Sequence, residues 1–206
     1  MVGTFPDEWE EVALVTIQLK GGSPFHYAAI TETIDIGEPD YPGESIPNLA
    51  GGRIWKQSPQ EDGEVTFEIY PINLDTNASN GGLFQEFNGV SGDSSFDTTQ
   101  PLATDIAWKA GVMTPRDRYI VAIMWTDDTA QTSALGVTSA TDSVALRFYA
   151  KECRITSHKS AYTDGILKTT AVFKFPAFDK AGTTKSFQWE STNDGDTTPL
   201  PAITYT

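Results

Sequence analysis

One cysteine, Cys153, is all the chain has, so no disulfide can form within it and packing must hold the fold. Histidine is nearly as scarce: His26 and His158 stand far apart, with no ligand-type spacing around either. Basic residues are almost missing from the first half. Residues 1 to 100 hold three, Lys20, Arg53 and Lys56, against 17 Asp and Glu, whereas residues 101 to 206 hold 11 of each sign. Affinity for DNA comes largely from Lys and Arg displacing counterions, which argues against a conventional nucleic-acid binder. No apolar run reaches the roughly 18 residues of a membrane-spanning helix. The opening Met1-Val2-Gly3-Thr4-Phe5-Pro6-Asp7-Glu8 lacks the basic-then-apolar order of a secretory signal. No membrane segment is expected.

Motifs that carry chemistry are also missing. Gly51-Gly52-Arg53 and Gly21-Gly22 lack the spacing of a phosphate-binding loop and open no helix, so they read as turns. There is no Gly-x-Ser-x-Gly, His-Glu-x-x-His or Cys-x-x-Cys. Asn193-Asp194-Gly195-Asp196 gathers oxygen ligands, but no glutamate stands at the closing position of a calcium loop, which leaves a solvated turn. Asn77-Ala78-Ser79 is a formal glycosylation sequon. Cys153, between Glu152 and Arg154, reads as a half-buried strand thiol with no activating base beside it. No catalytic residue, cofactor or metal is expected. One enzymatic alternative survives: Glu64 with Glu68, or Glu32 with Asp35, as the paired carboxylates of a glycosidase sandwich, a chemistry that needs them about 5 to 10 Å apart.

What the chain does have is short alternating runs. Residues 12–19 put Val15, Ile17 and Leu19 on one face before a Gly-Gly-Ser-Pro turn. Residues 29–36 alternate Ile30, Ile34 and Ile36 with polar partners. Residues 64–72 alternate Val65, Phe67 and Ile69 with Thr66, Glu68 and Tyr70. Residues 118–126 form a continuous apolar strand. In residues 144–157, Val144, Leu146 and Phe148 share one face but Cys153 and Ile155 fall on the other, so a bulge between residues 150 and 152 is expected to restore the apolar face. Asp164-Gly165 is a hairpin turn pair leading into a strand over residues 166–175, and residues 184–191 close the set.

Between the strands lie long connections. Residues 37–63, with four prolines, show no sustained periodicity and read as one long loop, in which Trp55 is a docking residue. Residues 80–89 carry Leu83, Phe84 and Phe87 at helical spacing between Asn80 and Gly89, which predicts the only helix. Residues 90–115 are turn-rich, and residues 127–142 form a polar connection. The expected fold is mainly β, an antiparallel sandwich or barrel-like domain over residues 1–191 with one short helix and long loops. Residues 192–206 read as a polar tail free to dock elsewhere.

The order Arg147-Phe148-Tyr149-Ala150, then Cys153-Arg154-Ile155-Thr156-Ser157, a turn at residues 161–165, and Leu167-Lys168-Thr169-Thr170-Ala171-Val172-Phe173-Lys174 resembles the closing hairpin of the tail tube proteins of tailed viruses. Gly51-Gly52-Arg53 in a long loop, then a strand, then a short helix, is similar in outline. The resemblance covers about half the chain and is one of layout. It implies a structural virion protein of the tail, assembled in the host cytoplasm. Six copies would close into a ring, and rings would stack into a hollow tube through which viral DNA passes without specific binding. The partners it implies are further copies of the chain and other tail proteins. Within that expectation Glu32, Asp35, Glu64 and Glu68 are candidates for a net-negative lumen, and Trp55 for contacts between rings. The alternatives left open are another tail or injection-machine component, such as a tail terminator, and a secreted carbohydrate-binding or glycoside-hydrolase sandwich.

Overall fold

A computed structural model describes residues 13–22, 24–27, 30–69, 117–128, 130–138, 144–192 and 198–206. Ten strands follow in chain order: β1 Ala13–Leu19, β2 Pro24–Tyr27, β3 Ile30–Gly37, β4 Gly43–Pro47, β5 Arg53–Gln57, β6 Gly63–Ile69, β7 Tyr119–Thr126, β8 Ala145–Thr163, β9 Ile166–Phe175 and β10 Phe187–Thr192. The described residues contain no helix, and the helix expected over residues 80–89 lies outside them. Every pairing is antiparallel, in the order β2-β1-β7-β8-β9-β6-β3, with β10 also on β8 and β4-β5 forming a separate hairpin.

The sheet works as two leaves because β8 passes from one to the other. Its first part pairs with β7 and β10, and its second, from Arg154 on, pairs with β9. Two irregularities make the crossover. Opposite β7, Tyr119 pairs with Cys153 and Val121 with Ala150, so β8 spends one extra residue there, and Glu152 takes a positive φ of 58°. Opposite β9, a second extra residue falls between Ile155 and Ser157. An extra residue bends its strand and increases the local twist. The first bulge is the one the face mismatch of Cys153 and Ile155 predicts, and Cys153 is buried in full rather than by half.

The leaves face each other across one core. Val15 and Ile17 of β1, Val121 and Ile123 of β7, and Phe148 and Ala150 of β8 meet Val65 and Phe67 of β6 and Ala171, Phe173 and Phe175 of β9. Aromatic rings fill the space between: Phe67 stacks on Phe173 at 5.6 Å, and Tyr119 meets Phe173 edge-on at 6.0 Å. Gly63 is where β6 approaches closest, since a Cβ there would sit 2.3 Å from the Phe175 ring.

The other face of the first leaf is covered too. Leu14, Ile120, Ala122, Met124 and Ala145 pack under Ala134 and Leu135 of the following connection and under Leu200 and Tyr205. That is why β7 reads as an unbroken apolar run: both its faces are dry. The tail is accordingly less free than its polar composition suggests, with Leu200 and Tyr205 buried and the Ile203 amide donating to the Leu135 carbonyl at 2.9 Å.

Two elements correct the expectation for residues 21–63. Pro24, expected to close a turn, instead opens a strand, Pro24–Tyr27, on the outer side of β1. Residues 43–57 are a hairpin and not a loop, closed by Asn48, whose side chain accepts the amides of Ala50 at 3.1 Å and Gly52 at 2.8 Å. Two strands of five residues are too short for periodicity to stand out between four prolines.

Candidate assembly surface

The second leaf, β8-β9-β6-β3, ends in two open margins among the described residues. Among the described residues the side of β8 away from β9 has no partner strand beyond Cys153, because β7 begins at Tyr119, and β3 pairs only with β6. Unpaired margins offer a row of amide donors and carbonyl acceptors to another strand. Among the described residues the first leaf ends likewise at β2, and β10 pairs only with β8.

The leaf's two faces differ. One lies on the core, and the other is largely polar, with no described element covering it. Cross-strand partners share a face, so Arg154, Lys174 and Glu64 lie in one row and Ser157, Val172, Thr66 and Asp35 in another. Lys159, Thr170 and Glu68 form a third. Of the predicted lumen residues, Asp35, Glu64 and Glu68 are thus brought together, while of Glu32 only its place in β3 is described. Each glutamate has a counter-ion: Lys174 Nζ stands 3.6 Å from Glu64 and Lys168 Nζ 3.1 Å from Glu68. The described charges on this face are therefore close to balance. Glu64 and Glu68, four residues apart along one strand, are separated by about 13 Å. That exceeds the spacing a glycosidase pair requires.

Trp55, the predicted docking residue, sits on the β4-β5 arm and is 63% exposed. Its ring lies over Gly43, where a Cβ would come within 2.4 Å of it. Ile46 and Ile54 are cross-strand partners one row away, on the opposite face, and both are exposed, with Leu49 bare at the turn. Sequence reasoning singled out Trp55 alone. The alternation of Ser45 with Ile46 and of Ile54 with Trp55, around an Asn-to-Gly turn, is the signal that marks the others.

A cleft of about 920 Å³ opens where β8 leaves β7, and no sequence signal marks it. Lys20, Arg118, Arg154, Lys174 and Lys180 line it, opposite Asp62, Glu152 and Asp179. Glu152, held outward by the bulge, takes Lys20 at 3.4 Å and Arg118 at 3.9 Å and accepts the Tyr205 hydroxyl at 3.1 Å. Burial, then the nearby Glu152 carboxylate, pushes the Tyr205 phenol up. Asp179 is held below the usual carboxylate range, first by the amides of Thr183 and Thr184. Among the described residues no carboxylate lies within ion-pairing distance of Arg154 or Lys180.

Burial pushes the Cys153 thiol far up, and its sulfur donates to the Ala150 carbonyl. His26, whose pKa burial lowers, meets the Thr16 hydroxyl at 3.2 Å. Among the described residues no three of His, Cys, Asp and Glu group to hold a metal ion.

A scan against protein-family models and a search of curated proteins each give no match. Among solved structures, the chain is similar to the anti-feeding prophage cap (AFP tube terminating cap), with 6% identity, a TM-score of 0.44 and coverage of 86% of this chain and 88% of that one. A second is an extracellular contractile injection system, PVC sheath-tube complex in the extended state, with 9% identity, a TM-score of 0.44 and coverage of 86% and 88%. A third is Hcp1 from E. coli EAEC 042, with 8% identity, a TM-score of 0.33 and coverage of 87% and 97%. These are likenesses of outline.

Proposed function

We propose that this chain is a tube-type structural component that works by closing with copies of itself into rings. The observation that carries the reading is the direction pattern of the second leaf. Its strands alternate direction from β8 through β9 and β6 to β3, so the β3 margin of one copy can pair with the β8 margin of the next without breaking the antiparallel order. Such a contact is heterologous, and repeated around an axis it closes into a ring. Four strands from each of six copies, at about 4.8 Å spacing and about 40° tilt, close at a diameter of roughly 48 Å.

In that ring the core face of each leaf points outward, toward its own first leaf, and the uncovered polar face lines the bore. Asp35, Glu64 and Glu68 then face the lumen with Arg154, Lys159, Lys168 and Lys174 among them. The near balance of charge suits a duplex that passes without being held, since strong retention needs a surplus of Lys and Arg. The β4-β5 arm, apolar on both sides and too small to be stable by itself, supports contact between stacked rings through Trp55, Ile46 and Ile54. The particular object this describes is the homohexameric tail tube of a virion.

Electron microscopy of the purified full-length protein tests the reading. Six-fold rings or stacked tubes are expected. Rings that never stack favour a terminator, and a strict monomer at high concentration that binds polysaccharide overturns the proposal.

A further inference from the structure

The cationic cleft lies at the end of the open β8 margin, and the register of the leaf shows what a neighbouring margin would bring to it. Arg154 pairs with Lys174, Lys174 with Glu64, and Glu64 with Gly37, so the cleft end of β8 and the last residue of β3 stand at the same level. A β3 strand laid antiparallel along the next copy's β8 at that level sets Gly37 beside Arg154 and Asp35 beside Ser157, two rows on and on the same face, within diagonal reach of the long Arg154 side chain. The chain that follows it, with the exposed Asp40, then runs past the start of β7 and the end of β1, where Arg118 and Lys20 line the cleft.

We propose that this cleft is the socket for the acidic margin, Asp35 and Asp40, of the next copy of this chain, which locks one subunit to the next. The inference rests on the ring reading above and adds the partner segment and the groups that recognise it. The charges complement each other. The cleft carries five cations against three carboxylates; Glu152 engages Lys20 and Arg118 and Glu64 engages Lys174, which leaves Arg154 and Lys180, beside Asp62 and Asp179, for an incoming acid. The margin it would receive belongs to the half of the chain with 17 acids and three bases. The contact also continues the strand pairing: the cleft begins at the residue where β8 loses β7 as a partner.

Two charge-reversed full-length proteins test this, one carrying Arg154→Glu and Lys180→Glu, the other Asp35→Lys and Asp40→Lys. All four positions are exposed, so each protein is expected to keep the wild-type melting temperature. Ring formation is followed by sedimentation and electron microscopy across a concentration series. Each variant alone is expected to need at least about tenfold more protein to form rings, because like charges are then juxtaposed at every contact. An equal mixture is expected to return to the wild-type threshold, since each reversed socket meets a reversed margin. Variants that ring at the wild-type threshold overturn the socket and leave the ring reading standing. Variants that fail alone and also fail when mixed overturn it too. A wild-type protein that forms no ring overturns both.

Discussion

Arg147 and Glu190 face each other across the β8-β10 pair, with the arginine wholly buried and its Nε donating to the Glu190 carboxylate at 2.9 Å while a second nitrogen meets the same oxygen. The remaining donors reach the carbonyls of Gly136 at 3.0 Å and Pro201 at 2.8 Å, so one side chain ties together β10, the connection after β7 and the chain end. Breaking a buried pair by removing one partner costs about 3–5 kcal/mol. Arg147→Met is therefore expected to lower the urea midpoint by the equivalent of that free energy divided by the m-value, and Glu190→Gln by less. Midpoints within experimental scatter of wild type would mean that the pair does not hold the covering layer.

Alkaline pH should destabilise the fold. Burial pushes up the Cys153 thiol, and burial followed by a nearby carboxylate pushes up the phenols of Tyr205 and Tyr149. In the unfolded chain these groups ionise near their ordinary values, about 8.5 for the thiol and about 10 for the phenols. Below those values neither state loses the protons and the contribution is complete. Above them the unfolded state binds fewer protons than the folded one, so stability falls as pH rises. Urea midpoints taken from pH 7 to 11 are expected to decline beyond about 8.5, and a flat or rising series would contradict this. The native thiol should react with maleimide only as fast as the protein opens.

Gly63→Ala places a methyl group against the Phe175 ring and close to the Gly37 carbonyl. Overpacking of this kind costs about 1–3 kcal/mol. A melting temperature at or above wild type would show that the ring swings away freely.

Trp55→Ala separates the arm from the fold. Exposed substitutions away from special features usually change stability by less than about 0.5 kcal/mol. The variant is expected to melt like wild type and to form single rings while losing stacks. Normal tube lengths would remove Trp55 from the contact between rings.

The strands legible in the sequence are those whose burial differs from face to face, such as Val65 and Phe67 against Thr66 and Glu68. The crossover bulge was legible because Cys153 and Ile155 are out of phase with Phe148 in a strand that must keep one face dry. The β4-β5 arm was not legible, because no core imposes an apolar face on it and four prolines hide its alternation. The docked tail was missed because Leu200, Ile203 and Tyr205 are single residues in a polar stretch, and the face they cover belongs to strands far away in sequence. The cleft escaped for a related reason: Lys20, Arg118, Arg154 and Lys180 come from four separate places and meet only once β8 has crossed between leaves.

Covalent capture across the two margins tests the ring most directly. In a Cys153→Ala background, Asp35→Cys is combined in turn with Ser157→Cys, Lys159→Cys or Ala161→Cys, and the assembled protein is oxidised. Within one copy β3 and β8 are separated by β9 and β6, about 14 Å at the usual strand spacing, whereas a disulfide needs Cα atoms within about 7 Å. Any bridge between the two margins must therefore join different copies. The account predicts, for at least one of the three combinations, a ladder of covalent oligomers that ends at the closed ring. Monomer alone, under oxidising conditions and for all three combinations, would contradict it.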